Sequence, residues 1–260
     1  MGLSHQPVIL TRPGAANVRL ANKLKADGIE AWCWPAFTIA LPEDQDIVAH
    51  RLAHLDDVDM VVLASPASVA AVAHWVQTWP EHVTLATVGE GTARVIRAAW
   101  GDQVRVVFPE GDAEHSGSEA LFDLLRRTQM PRRVLICRGQ TGREWLSEQL
   151  TELGVDVEKI ACYVRVPIEL NQSQIEDLKT AVHGPSPIVY VTSSDAVATL
   201  LHAIRPVAGA REWFLHGAAV TIHPRCADRL REAGFVHVEI TGTLDETVKE
   251  HIRANLLRLA

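Results

Sequence analysis

Cysteine is sparse in this chain: Cys33, Cys137, Cys162 and Cys226 are scattered over 260 residues, and no two form a C-x-x-C pair. That spacing excludes a zinc ribbon or a disulfide framework and points to reduced thiols. The 12 histidines are read as dispersed surface or capping residues, so no metal site is expected. No G-x-S-x-G elbow suggests a nucleophilic serine, and lysine is scarce in the loops, which argues against a Schiff base. Long apolar runs are missing too; none approaches the ~20 residues that span a bilayer. No apolar segment of the secretory kind precedes the first strand, so no signal peptide and a cytoplasmic location are expected. Positive charge is in deficit. With 25 Lys and Arg against 32 Asp and Glu, the net charge of −7 argues against nucleic acid or a membrane surface as partner. A small anionic ligand is still compatible, provided a few cations and backbone N–H groups converge locally.

What the chain does contain is a repeat. Residues 133–258 read as a second pass through residues 7–125. Val8-Ile9-Leu10-Thr11-Arg12-Pro13 is answered by Val134-Leu135-Ile136-Cys137-Arg138-Gly139. Arg12 and Arg138 are 126 positions apart, as are Gly28 and Gly154, each at the end of a helical stretch. Leu63-Ala64-Ser65-Pro66 returns as Val191-Thr192-Ser193-Ser194 with a register slip of two.

Short apolar runs alternate with amphipathic ones throughout. Strands are expected at 7–11, 29–32, 59–63, 84–88, 104–107, 133–137, 155–159, 187–191, 213–215 and 235–240, with helices between them. Strict alternation predicts parallel sheets covered by helices on both faces. Two proline-containing extended segments, Trp34 to Ile39 and Ala161 to Pro167, interrupt the alternation at matching places. They are read as crossings between two similar α/β domains, paired as a two-stranded antiparallel ribbon. One domain is then discontinuous (1–36 and 167–260), the other covers 40–161, and the ribbon is 37–39 with 162–166. Two thin crossings imply a hinge that closes over a ligand. The stretch Gly111 to Ser118 is the most loop-like.

Parallel sheets bind ligands beyond the carboxyl ends of their strands. Three kinds of loop fall there. Arg12 and Arg138, with Arg143 behind them, offer bidentate donors to carboxylates, or else pair with neighbouring acids. Ser65, Thr192 and Ser193 stand between a strand and a helix, where a hydroxyl caps the helix and can also hold a carboxylate. Gly89-Glu90-Gly91-Thr92 lacks the third glycine of a dinucleotide fingerprint, so nicotinamide is not expected. The seven tryptophans are assigned to packing, with no stacking pair among them.

These motifs, taken in order, resemble the uroporphyrinogen-III synthase family. The resemblance rests on Thr11-Arg12-Pro13, Ser65-Pro66 and Val88-Gly89-Glu90-Gly91-Thr92-Ala93. It continues through Ser118-Glu119, Leu135-Ile136-Cys137-Arg138-Gly139, Tyr163, Thr192-Ser193-Ser194 and the stretch Pro224 to Gly234. It implies two similar parallel-sheet α/β domains, flavodoxin-like, joined by a two-stranded ribbon. The activity implied is a step of tetrapyrrole (heme) biosynthesis by a cyclising hydro-lyase. Hydroxymethylbilane, a linear tetrapyrrole with eight carboxylates, loses its terminal hydroxyl as water. The resulting azafulvene is attacked through the substituted carbon of the last ring, and closure in the inter-domain cleft inverts that ring to give uroporphyrinogen III. No metal or organic cofactor is implied. The partners implied are the substrate and, transiently, the upstream hydroxymethylbilane synthase, and a monomer is expected.

By motif, Tyr163 matches the residue that assists departure of the hydroxyl. Phenols are protonated at neutral pH and can donate without tuning. Ser65 and Thr92 match cleft residues that hold carboxylates. The second-repeat counterpart of the Thr92 loop reads His223-Pro224-Arg225-Cys226, without the family's threonine, so Arg225 is expected to replace it as a carboxylate partner. A different class, a cytosolic two-domain protein that binds a small anion without chemistry, fits the same organisation.

Overall fold

The computed structural model describes residues 6–111, 116–128 and 130–259. The loop-like segment noted at 111–118 therefore lies partly outside the described residues. The chain divides into two units, one built from residues 1–38 and 166–260, the other from 39–165.

The chain opens with β1 (Val8–Leu10), α1 (Ala15–Ala26) and β2 (Ala31–Cys33). It continues through β3 (Phe37–Ala40), α2 (Gln45–Ala53), β4 (Met60–Leu63), α3 (Pro66–Trp75), β5 (Thr84–Ala86) and α4 (Glu90–Trp100). Next come β6 (Val106–Val107), α5 (Ser118–Arg127), β7 (Arg133–Gly139), α6 (Trp145–Glu152) and the long β8 (Asp156–Pro167). The return adds α7 (Gln172–Ala181), β9 (Ile188–Tyr190), α8 (Ser194–Ala203) and α9 (Ala210–Leu215). It closes with β10 (Ala218–Thr221), α10 (Pro224–Ala233), β11 (His237–Ile240) and α11 (Asp245–Leu259).

In the discontinuous unit the sheet order is β2-β1-β9-β10-β11, all parallel. Strand alternation sorts its side chains onto two faces. Val8, Leu10, Ile188 and Tyr190 pack under α1 and α11 with Leu20, Leu24, Val248 and Ile252. Ile9, Val189 and Ala219 face the other way, against Leu200, Phe214 and Leu230 of α8, α9 and α10. Burial on both faces explains why these strands read as continuous apolar runs. The continuous unit is built alike, in the order β3-β8-β7-β4-β5-β6, with the four pairings from β8 to β6 parallel. Val61, Leu63 and Leu135 meet α2, α3 and α4, while Val62, Val134 and Ile136 meet α5 and α6.

Each sheet takes strands from both repeats. Aligned by repeat position, β7 and β8 match β1 and β2, while β4, β5 and β6 match β9, β10 and β11. Apart from β3, added at the edge of the continuous unit's sheet, the two sheets then have one strand order, with two strands of one repeat beside three of the other.

Four expectations need correction. The run Trp213-Phe214-Leu215 is not a strand but the end of α9; the strand is Ala218–Thr221. Gly209, at φ 78, starts a short helix that buries Trp213 and Phe214, so tertiary packing overrides the strand propensity of an aromatic run. The second strand of the second repeat and the crossing after it are one strand, Asp156–Pro167. Its last residues meet the other crossing, with Ile168 N–H donating to Ala36 O at 3.2 Å and Thr38 Oγ1 donating to Val166 O at 3.5 Å. Partner numbers fall as the others rise, so this stretch runs antiparallel. Trp32 and Trp34 do form a stacked pair, with centroids 4.9 Å apart, because residues two apart along the extended chain of β2 and the residue after it share a face. Finally, His50 and His54 on α2 have a metal-pair spacing that the reading of dispersed histidines overlooks. Among the described residues, however, no three His, Cys, Asp or Glu side chains gather as a metal site. No helix among them is long and apolar enough to cross a membrane.

Candidate functional site

In a doubly wound parallel sheet, the loops on either side of the strand where the order reverses splay apart and leave a crevice. That point lies between β1 and β9 in the discontinuous unit, and between β7 and β4 in the continuous one.

The continuous unit brings four predicted residues to this end of its sheet. Ser65 follows β4 and caps α3: its Oγ accepts from Ser68 N–H at 3.2 Å, while Ser65 N–H donates to Ser68 Oγ at 3.1 Å. Pro66 at the first helical position completes a strong start signal. Tyr163 comes from β8. Its ring is buried against Ile160, Cys162 and Leu135, and its hydroxyl lies 3.3 Å from Ser65 Oγ. Packing and polar contact therefore coexist in this side chain. Thr92 lies in the first turn of α4 and is mostly buried.

Arg138 is the penultimate residue of β7. It makes a 2.5 Å ion pair with Glu144, which Lys159 also contacts at 2.7 Å. The hydrogen bond from Lys159, then that from Arg138, holds the Glu144 carboxyl down to about 2. Arg143 reaches Glu119 at 2.6 Å and stacks toward Trp145. Both arginines thus have acid partners within the unit.

The discontinuous unit places Arg12 beyond β1. Its Nη2 donates to Asp245 at 2.9 Å and to Ala16 O at 2.8 Å, and its guanidinium lies over the Tyr190 ring at 5.2 Å. Burial pushes the Tyr190 hydroxyl up to about 12, so it stays neutral. Arg12 Nη1 has no partner among the described residues, and Nε is buried without one. Ser193 caps α8, accepting from Ala196 N–H at 3.3 Å, and half-buried Thr192 precedes it. Arg225 is exposed in the first turn of α10, where His223 Nδ1 accepts its backbone N–H at 3.3 Å. A histidine thus caps this helix, where α4 at the matching place in the first repeat starts from Gly89 with no side-chain cap.

Sequence reasoning missed Asp245, Glu144 and Tyr190. Glu144 is six residues from Arg138, and an acid so placed is a usable local signal. Asp245 is 233 residues from Arg12 in sequence, and nothing in the chain pairs them before folding.

Two mostly parallel sheets, each covered by helices on both faces, define a mixed α/β protein. The model of the uroporphyrinogen-III synthase (HemD) family matches residues 18–243, and the chain belongs to that family. It is 28% identical to a uroporphyrinogen-III synthase of Salmonella typhimurium over 243 residues, covering 92% of this chain and 96% of the relative. Identity to the Escherichia coli uroporphyrinogen-III synthase is 26% over the same length, with the same coverage. The fold is similar to crystal structures of the enzymes from Helicobacter pylori and Thermus thermophilus. The first has a TM-score of 0.60 at 15% identity, covering 96% of this chain and 99% of that one. The second, a mutant, has a TM-score of 0.55 at 19% identity with the same coverage.

Proposed function

We propose that this protein is a hydro-lyase that closes hydroxymethylbilane to uroporphyrinogen III, a step of tetrapyrrole biosynthesis. The family match over residues 18–243 carries this reading. It also favours an enzyme over a non-catalytic anion binder. Each unit is in this reading a flavodoxin-like sheet of order 2-1-3-4-5, with β3 added at the edge of the continuous one. A cytoplasmic location fits the four free thiols.

The proton path supports Tyr163 as the acid. Ser65 Oγ accepts from Ser68 N–H, and in this reading its own hydrogen goes to the Tyr163 oxygen, 3.3 Å away, in preference to the more distant Ser68 Oγ at 3.5 Å. The phenolic hydrogen then has no other partner among the described residues and is left for the departing hydroxyl. Hydrogen bonds linked in this way polarise one another and strengthen the terminal donor. Arg12 keeps Nη1 for a substrate carboxylate, and Arg138 can exchange Glu144 for one. Thr92, Thr192, Ser193 and Arg225 supply further donors at the same strand ends. Fixing a flexible octa-anion in a ring-closing pose accounts for much of the barrier lowering.

The test is an isomer-resolved assay. Hydroxymethylbilane is generated by its upstream synthase, this protein is added, and the oxidised porphyrins are separated. Spontaneous closure yields the type I isomer; type III is expected with the protein. Tyr163→Phe should lower kcat by roughly 10²- to 10⁴-fold, the usual range for a general acid. A product that stayed type I would leave only the binding protein standing.

A further inference from the structure

The pairing of β7 with β8 has one irregularity, and it falls beside Tyr163. Arg138 pairs with Ala161, but Gly139 pairs with Tyr163, so Cys162 is an extra residue on β8. Regular alternation would turn Tyr163 away from the face that Ile160 and Cys162 occupy. With the bulge, Cys162 and Tyr163 both join the cluster of Ile160. Such bulges re-aim side chains. The bulge is tied down at both ends: Gln140 N–H donates to Tyr163 O at 3.0 Å, and Cys162 Sγ donates to Arg138 O at 3.3 Å.

Gly139 then faces the phenol directly. A Cβ there would stand 2.9 Å from Tyr163 Cε2, 3.0 Å from Cζ and 3.2 Å from the hydroxyl oxygen. The backbone at Gly139 is not among the positive-φ glycines, so its own conformation admits alanine. The obstacle is the hydroxyl end of one ring. In the first repeat, Pro13 and Phe37 stand at the positions of Gly139 and Tyr163, 126 residues earlier, so glycine facing a hydroxylated ring occurs in one copy only.

We propose that Gly139 and the Cys162 bulge are positioning residues for the cyclisation, aiming the Tyr163 hydroxyl at Ser65 and the departing hydroxyl of the substrate. This rests on the reading of Tyr163 as the acid. A methyl at 139 displaces the phenol without disturbing the strand, because the ring end is what yields.

The test is a double-mutant cycle on the full chain. Gly139→Ala is expected to lower kcat about tenfold to a hundredfold, the effect of a misplaced reacting group, with KM within about twofold. In a Tyr163→Phe background the same change should have no further effect on kcat. A second readout uses the two tyrosines, Tyr163 and Tyr190. In protein labelled with 3-fluorotyrosine, Gly139→Ala should move the Tyr163 fluorine resonance, assigned with Tyr163→Phe, and leave that of Tyr190. An equal loss of kcat in both backgrounds, an unchanged kcat, or an unmoved Tyr163 resonance would each overturn the positioning role. So would loss of cooperative melting in Gly139→Ala, since the ring could then not yield. Full activity of Tyr163→Phe alone would instead sink the acid reading and the positioning role with it. The two failures differ, because only the first leaves Tyr163→Phe impaired.

Discussion

At the scale of single residues, the site is governed by which hydrogen bonds are already taken. Ser65 shows this: a helix cap and a partner of Tyr163 at once, because one hydroxyl oxygen serves two neighbours. Arg138 shows the opposite case, a cation whose carboxylate is supplied internally by Glu144. That pairing leads to a pH prediction. A free glutamate titrates near ~4.3, whereas Glu144 in the folded chain is held down to about 2 by Lys159 and then Arg138. A depressed carboxyl contributes stability above its unfolded pKa and loses it as pH falls through the folded value. Wild type is therefore expected to melt above Glu144→Gln at pH 5, and the gap should close as pH falls toward 2. Melting curves at pH 5, 3 and 2 check this, and a gap of constant size would contradict it. Tyr163 and Ser65 were legible as separate residues in the sequence. Their contact was not, since 98 positions separate them and only the adjacency of β8 to β7, and of β7 to β4, brings them together.

At the scale of elements, local signals did most of the work where the chain supplies its own partners. The two matching glycines are the clearest case. Gly28 follows α1 at φ 75 and Gly154 follows α6 at φ 82, both left-handed. In each, the next residue's N–H returns to the carbonyl five residues back, from Ile29 to Leu24 at 3.0 Å and from Val155 to Leu150 at 3.1 Å. The apolar pair that accompanies such an end is buried in both places. Nothing lies within 4 Å of a Cβ added at Gly154, so Gly154→Ala tests backbone strain alone. It is expected to cost about 1–2 kcal/mol, read from the shift in urea midpoint, with the isomer ratio of the product unchanged. The failure at 213–215 has the opposite cause. An aromatic run carries no local mark of helix or strand strong enough to resist the core that receives it, and here Trp213 and Phe214 are buried from a helix.

At the scale of the whole molecule, the repeat in the sequence is not the unit of folding. Each sheet borrows strands from both repeats, and the chain crosses between units twice, near residues 38 and 166. The continuous unit nevertheless contains its own sheet, with a core on each face. A fragment of residues 39–165 is therefore expected to unfold in a single cooperative urea transition, as small domains do. A gradual, probe-dependent transition would mean that this unit needs the rest of the chain. The discontinuous unit has no such fragment: residues 1–38 supply β1, an interior strand between β2 and β9.

The sequence by itself determined the α/β class, the strand-end loops and the helix ends at Gly28 and Gly154. Each rests on periodicity, capping or turn chemistry that acts within a few residues. Tertiary structure decided the rest: which strands pair in each sheet, the choice of Asp245 for Arg12 and the bulge at Cys162 that turns Tyr163. These depend on contacts between segments far apart in the chain. Their geometry is set by how whole strands register in a sheet and how side chains fill the space that remains.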